Sequence, residues 1–194
     1  MARLPYVRPE NAPEPVRKVF ERLPVHLNLF RMLANAETLF RPFLGLGSAI
    51  LNTMKLDAKA RELVILHVGR LCRGEYEWVQ HVPIAEACAV TRTQIDALER
   101  GETTVDCFDE RERALLAFTT ELVRDVQVSE QTFRDASKHL DAREIVETIV
   151  AVGFYMTVAR LTEATQIEID PGAGMKMVES ARKPRIKDDS TTKS

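Results

Sequence analysis

The chain has 194 residues, of which 45% are hydrophobic and 29% are charged, and its formal net charge is -2. This length suits one domain of ordinary size with its own core, and the composition excludes collagen-like and disordered proteins. Acidic and basic residues are interleaved and form no basic patch that could follow a phosphate backbone, so we expect no nucleic-acid partner. The three cysteines have irregular spacing, which predicts reduced thiols instead of disulfides or a paired metal site.

The proline-rich beginning of the chain predicts an arm over residues 1–15, because proline favours extended backbone. One domain is expected over residues 16–169, and the polar, glycine-containing residues 170–194 are expected to form a disordered tail. The first residues lack the apolar run of a signal peptide, and the nearly uncharged stretch 148–159 is too short to span a bilayer. The sequence therefore predicts a cytoplasmic protein without a membrane partner.

From residue 16 onward, apolar residues recur with helical spacing, which predicts an all-α fold. Two segments, 63–72 and 145–161, are apolar on nearly every side, so we expect other helices to enclose them. The predicted helices span 14–23, 26–35, 37–53, 57–72, 75–89, 91–99, 109–125, 129–139 and 141–166. The predicted N-caps are Asp57, Thr91, Asp109, Ser129 and Asp141, and the glycines predicted to close preceding helices are Gly74 and Gly101.

Glu77 and His81 are four residues apart, which places them on one helical face within side-chain reach. A carboxylate that binds one imidazole nitrogen fixes the tautomer and leaves the other nitrogen for general acid or base work. Tyr76 and Trp78 flank Glu77, and Gly74 leaves space at the start of this helix. A pair at this spacing is more often an ordinary surface pair, and Trp78 is more often a core residue, so both alternatives remain open.

The stretch from Arg61 to His81, followed by Thr91-Arg-Thr-Gln-Ile-Asp-Ala-Leu, resembles the carboxymuconolactone decarboxylase family. That resemblance implies the AhpD-like multi-helix bundle, a fold shared with alkylhydroperoxidases. The peroxidase branch has the motif E-x11-C-x2-C-x3-H, in which Glu62 and His81 match the relay residues. Gly74 and Glu77 stand at the two cysteine positions, so the redox pair is missing.

The resemblance implies that Glu62, Glu77 and His81 form a catalytic constellation that transfers protons on a small organic acid or lactone. A decarboxylase, a lactone-processing enzyme and an isomerase would all use these groups, with no metal or organic cofactor. His67 lies about 140° from Glu62 around their helix, which argues against a metal site built from both.

A substrate carboxylate would favour a guanidinium, and Arg73 is our preferred candidate over Arg70 and Arg160. Tyr76 and Trp78 complete the predicted substrate-binding group. Each arginine is more often part of a solvated or ion-paired surface.

Two other functions remain open at this stage. A peroxidase-like antioxidant protein would have to use Cys72 as a lone thiol, and a non-catalytic oligomer would only bind a small ligand. The predicted helix 37–53 carries apolar residues on more than one face, and relatives of this fold assemble, so we expect a homo-oligomer, a trimer or a hexamer.

Overall fold

A computed structural model describes residues 1–170, and within that range every regular element is helical. A short 3₁₀ turn at Pro9–Asn11 precedes α1 (Glu14–Phe20), α2 (Asn28–Leu33) and α3 (Glu37–Thr53). The remaining helices are α4 (Ala58–Cys72), α5 (Glu75–Ala87), α6 (Arg92–Arg100), α7 (Glu110–Asp125), α8 (Glu130–Ser137) and α9 (Ala142–Thr165). The all-α prediction is confirmed, and each predicted helix corresponds to one of these nine.

Polar side chains start five of these helices as predicted, because each accepts a hydrogen bond from an amide of the first turn. The five caps are Asp57, Thr91, Asp109, Ser129 and Asp141. Gly101 ends α6 in the left-handed conformation, as predicted. The left-handed residue that ends α4 is Arg73, with φ of 57°, and Gly74 follows it as the N-cap of α5. Gly74 therefore does not close α4 as predicted, because Arg73, one residue earlier, is the residue that closes it.

Helix α4 lies at the centre of the domain and packs against α5, α6, α7 and α9. Its residues from Ala60 to Gly69 are all buried, which agrees with its apolar sequence. Helix α9 differs, because Val146, Ile149 and Val150 remain exposed on one of its faces. The expectation that other helices enclose α9 on all sides therefore does not hold within one chain.

Helix α9 is long and apolar enough to cross a membrane by length and composition, and half of its most apolar window is buried in the structure. It packs along α4 and also contacts α3, α5, α7 and α8. Its place in the core of this fold accounts for its apolar composition.

The N-terminal arm lies against the end of α9 and the residues after it. The Arg3 amide donates to the Thr165 carbonyl at 2.8 Å, and the Ala2 amide donates to the Glu168 carboxylate at 2.9 Å. The Asn28 amide donates to Asp170 Oδ2 at 2.8 Å, which holds the start of α2 to the same segment. Of the tail predicted over 170–194, residues 171–194 lie outside the described part of the chain.

Candidate functional site

A cavity of about 300 Å³ lies between α2, α3, α5 and α9. Its walls are mainly apolar, with Leu33, Phe43, Leu51, Phe154 and Val158 among the lining residues. The polar groups come mostly from one face of α5, since residues three and four apart on a helix share a face. The residues that α5 contributes are Tyr76, Glu77, Gln80, His81 and Ile84.

His81 is bound from behind by Glu62 of α4. The distance from His81 Nδ1 to Glu62 Oε2 is 2.8 Å, and Glu62 is 0% exposed. The carboxylate can only accept, so Nδ1 donates and Nε2 is left as the free ring nitrogen. No group within residues 1–170 forms a hydrogen bond with that nitrogen. The sequence allowed either Glu77 or Glu62 to bind His81, and in the structure the hydrogen bond is made by Glu62.

Arg61 completes the environment of Glu62. Its Nε lies 3.0 Å from Glu62 Oε1, and its Nη1 donates to the Leu51 carbonyl at 2.9 Å. The guanidinium is itself buried, so this is an ion pair within the core. Because both oxygens of Glu62 have partners, His81 is held by a fixed carboxylate.

Glu77 lines the same cavity, but its environment is different. The Thr162 hydroxyl lies 3.3 Å from Glu77 Oε1 and shares its one proton between that oxygen and the Ala159 carbonyl at 3.1 Å, whereas Glu77 Oε2 has no hydrogen-bond partner within the described residues. Burial disfavours the charged carboxylate and raises the pKa of Glu77 to about 7. Near neutral pH this carboxyl group is therefore able to hold a proton or release it.

Gly74 makes room for the Glu77 carboxylate. A Cβ at position 74 would overlap Glu77 Oε2 and would lie 3.2 Å from Glu77 Cδ. The φ of Gly74 is -79°, which any residue adopts, so space and not backbone conformation explains this glycine. We expected Gly74 to leave space at the start of α5, and the group that occupies this space is the Glu77 carboxylate.

Tyr155 of α9 also lines the cavity and its ring contacts the His81 ring. Their ring centroids are 5.1 Å apart at an interplanar angle of 90°, an edge-on contact. Burial raises the pKa of the Tyr155 hydroxyl well above its usual value, so the hydroxyl stays protonated. Tyr155 was not predicted as a site residue from the sequence, because nothing local connects α9 to His81.

Tyr76 and Gln80 line the cavity beside this group, and both bind Asp170. The Tyr76 hydroxyl donates to Asp170 Oδ2 at 2.7 Å, and Gln80 Nε2 donates to the Asp170 carbonyl at 2.8 Å. Gln80 was also missed, although it follows Tyr76 by one helical turn and directly precedes His81.

The structure does not bring Arg73 or Trp78 to the cavity. The side chain of Arg73 is exposed at the turn after α4, and Trp78 is half-buried against the cluster that contains Leu63 and Leu98. The arginine that does line the cavity is Arg22, which is exposed. Cys72 packs against the core cluster around α4 and does not line the cavity.

His67 lies apart from the other candidates for a metal site. Its Nε2 is 2.7 Å from Thr120 Oγ1, on the side of α4 that faces α7. In residues 1–170, no group of three or more His, Cys, Asp and Glu side chains is arranged to hold a metal ion.

A family model, the carboxymuconolactone decarboxylase family, matches residues 37–121 of this chain. These residues include α3 to α6 and most of α7, and they contain Glu62, Glu77 and His81. No curated protein is significantly similar to the chain in sequence.

Several solved structures have the same fold at low sequence identity. The alkylhydroperoxidase AhpD core of an uncharacterized peroxidase-related protein from Ralstonia eutropha JMP134 matches with a TM-score of 0.76 and 19% identity, over 88% of this chain and 93% of that one. A peroxidase-related protein from Silicibacter sp. TM1040 gives a TM-score of 0.73 and 18% identity, over 93% and 94% of the two chains. The debrominase Bmp8, as a cysteine-to-alanine variant in complex with 2,3,4-tribromopyrrole, gives 0.72 and 18%, over 93% and 100%. These likenesses confirm the predicted AhpD-like fold.

Proposed function

We propose that this protein is an acid–base enzyme acting on a small, largely apolar molecule. Two findings support the proposal: residues 37–121 match the model of the carboxymuconolactone decarboxylase family, and the chain has the AhpD-like fold. His81 moves the proton, Glu62 positions His81, and Glu77 and Tyr155 supply further protons. The observation that carries this proposal is the free Nε2 of His81 in a cavity that Glu77 also lines.

The chemistry follows from these groups. His81 Nε2 takes a proton from a carbon next to a carbonyl, and the electron pair of the broken C–H bond moves to the carbonyl oxygen. The Tyr155 hydroxyl and the protonated form of Glu77 are the donors that stabilise the resulting enolate. Return of the proton to another carbon completes an isomerisation. In a decarboxylation the C–C bond to the carboxylate breaks instead, carbon dioxide leaves, and protonated His81 gives its proton to the carbon.

This proposal is tested by proton exchange on 2-tetralone, an uncharged ketone with activated C–H bonds. The native protein in D₂O is expected to exchange the protons next to the carbonyl faster than buffer, as followed by NMR. His81→Gln should lower the enzymatic rate by about 10²-fold or more, the usual contribution of a general base. His139→Gln, a matched change outside the cavity, should leave the rate unchanged. Equal rates for the native protein and His81→Gln would contradict the proposal.

A peroxidase-like function is the main rival, since two relatives of this fold are named as peroxidase-related. Peroxide reduction in that branch needs a thiolate, and the two cysteine positions hold Gly74 and Glu77 here. Cys72 lies outside the cavity lining, and burial raises the pKa of its thiol, which depletes the reactive thiolate. These features favour proton transfer over thiol chemistry.

The sequence favoured an organic acid as substrate, with Arg73 binding its carboxylate. Arg73 does not line the cavity, so such a substrate would have to direct its carboxylate to the exposed Arg22. Because the cavity walls are mainly apolar, most of the contact with a substrate would be made by the apolar part of that molecule.

We further propose that the working species is a homo-oligomer, built on the exposed apolar face of α9. Val146 is 58% exposed, and Ile149 and Val150 are each 42% exposed on the same helix. An exposed apolar face of this kind favours contact with the same face of a second copy of the chain. Sedimentation at micromolar concentration should give a species larger than one chain, and Val150→Glu should shift it toward the monomer. A single monomeric species at all concentrations would contradict an oligomer.

A further inference from the structure

Arg61 of α4 is a buried cation whose nitrogens contact three separate segments. The residue is 7% exposed. Both Nε and Nη2 lie 3.0 Å from Glu62 Oε1, Nη1 donates to the Leu51 carbonyl at 2.9 Å, and Nη2 lies 3.9 Å from Cys88 Sγ. Leu51 belongs to the last turn of α3, where unpaired carbonyls favour a positive charge. The guanidinium is therefore fixed in one place, against one oxygen of Glu62.

Glu62 lies between Arg61 and His81, which compete for its negative charge. Its Oε1 contacts the guanidinium, its Oε2 lies 2.8 Å from His81 Nδ1, and the residue is 0% exposed. While His81 is neutral, the charges of Arg61 and Glu62 cancel. A proton added to His81 Nε2 would give these three side chains a net positive charge, which burial disfavours.

Loss of the Arg61 charge would reverse this balance. A buried carboxylate without a cation favours an additional proton, so Glu62 and His81 would share one. If the additional proton is on the imidazole, both ring nitrogens carry protons. If it is on Glu62 and is donated to Nδ1, the proton of the neutral ring is on Nε2. In both cases Nε2 carries a proton and His81 cannot act as a base through that nitrogen.

We propose that Arg61 is a positioning residue, which keeps the Nε2 atom of His81 without a proton near neutral pH by neutralising the charge of Glu62. Arg61 does not line the cavity, so it acts on His81 only through Glu62. The inference rests on the proposed function in one respect, since it takes His81 as the base. The protonation of His81 is measured without any substrate.

Three other titratable side chains line the cavity with His81. Glu77 comes from α5, Tyr155 from α9, and the exposed Arg22 from the segment between α1 and α2. Burial raises the pKa of Tyr155 well above its usual value, so its charge does not change near neutral pH. Burial raises the pKa of Glu77 to about 7, so its charge does change there. Each measurement is therefore repeated in the Glu77→Gln background, which removes that charge.

Nitrogen-15 NMR of the histidine rings in the full chain tests the inference, with the His81 signals assigned by their loss in His81→Gln. In the native protein at about pH 7.5, the His81 ring should be neutral, with its proton on Nδ1 and none on Nε2. In Arg61→Met, the pH at which Nε2 loses its proton should rise by about one unit or more, a tenfold change in proton affinity. The same rise is expected in the Glu77→Gln background.

Two further variants separate the charge of Arg61 from its shape. Arg61→Lys keeps the positive charge and should restore most of the native behaviour of His81. Arg111→Met is the matched control, because Arg111 is also ion-paired, with Asp57 and Glu144, but does not line the cavity or contact Glu62. This control should leave the titration of His81 unchanged.

A proton on Nε2 of His81 in the native protein at about pH 7.5 would overturn the inference, and this measurement needs no variant. An unchanged titration in Arg61→Met would also overturn it. Equal rises in Arg61→Met and Arg61→Lys would do the same, because shape and not charge would then control His81. A protein in which Arg61 keeps Nε2 without a proton, but which does not exchange protons on 2-tetralone, would refute the proposed function and leave this inference standing.

Discussion

Glu62 and Glu77 are both buried beside His81, and their surroundings differ in one respect. Glu62 has Arg61 against one oxygen and His81 against the other, whereas Glu77 has one weak contact, from Thr162, and an oxygen with no partner in residues 1–170. A fully partnered carboxylate serves as a fixed counter-charge, and a poorly partnered one readily changes its protonation state. The two carboxyl groups of one site are therefore suited to separate tasks because their neighbours differ.

Replacing each glutamate by glutamine should have opposite effects on stability at pH 8. Glu62→Gln leaves the buried Arg61 guanidinium without a counter-charge and should lower the free energy of unfolding by about 3–5 kcal/mol. Glu77→Gln removes a carboxylate that is buried and ionised at this pH, because its pKa is about 7. It should raise the free energy of unfolding by about 2 kcal/mol. Urea unfolding measures both, and equal losses in the two variants would refute the distinction.

His67 and Glu77 are a second pair of buried groups, and their protonation makes the stability of the protein depend on pH. Thr120 Oγ1 donates to the Leu116 carbonyl at 2.8 Å, so His67 Nε2 must donate to Thr120, and His67 Nδ1 has no partner in the described residues. Burial lowers the pKa of His67 to about 4, whereas burial raises that of Glu77 to about 7. His67 and Glu77 therefore change the stability of the protein in opposite directions over the same range of pH.

The signs follow from proton binding. Between pH 4 and 6.5 the unfolded chain protonates His67 while the native protein does not, so this group makes stability rise with pH. Between pH 4.5 and 7 the native protein keeps a proton on Glu77 that the unfolded chain has lost, so that group makes stability fall with rising pH. The two contributions nearly cancel in the native chain.

Single variants should expose each contribution. In Glu77→Gln, the free energy of unfolding should rise by about 2–3 kcal/mol from pH 4 to 6.5. In His67→Gln it should fall by a similar amount from pH 4.5 to 7. Urea unfolding at several pH values checks both slopes, and slopes of the same sign in the two variants would show that one assignment is wrong.

Much of the fold follows from local sequence signals. The five N-caps are each decided by a side chain and amides three residues away, so the sequence alone was enough to predict them. The resemblance to the family motif also selected Glu62 and His81, which the structure joins by a hydrogen bond. It could not decide between Glu62 and Glu77 as the partner of His81, because helical spacing describes one helix and Glu62 belongs to another.

The remaining parts of the site depend on contacts between distant segments. Tyr155 reaches His81 from α9, and Asp170 fixes the amide of Gln80 from beyond that helix. Arg73 is close to Glu77 in sequence, yet the left-handed turn at φ of 57° leaves it exposed. The spacing of residues along one helix cannot predict such arrangements, because they arise from how whole helices pack.

The close contact between Gly74 and the Glu77 carboxylate predicts a smaller change in stability. Gly74→Ala should lower stability by about 1–3 kcal/mol, because the new Cβ overlaps Glu77 Oε2 and the carboxylate has to move. In the Glu77→Ala background the same substitution should cost clearly less, and the cost that remains should come from Ala159, whose Cβ would lie 3.3 Å from the new one. A double-mutant cycle by urea unfolding measures the coupling. Equal costs in both backgrounds would mean that Gly74 is required for some other reason.

Cys72, at the end of α4, gives the smallest expected effect. Burial raises the pKa of its thiol, and the positive charge of Arg160, which acts in the opposite direction, does not offset this, so little of the thiol is present as thiolate. A dithiol cycle also needs a second thiol, and position 77 holds a glutamate that cannot form a mixed disulfide. Cys72→Ser should therefore leave peroxide turnover with a thiol reductant unchanged, with Cys107→Ser as the matched control. A large loss in Cys72→Ser alone would restore the peroxidase function and make Glu77 an influence on a thiol instead of a proton carrier for His81.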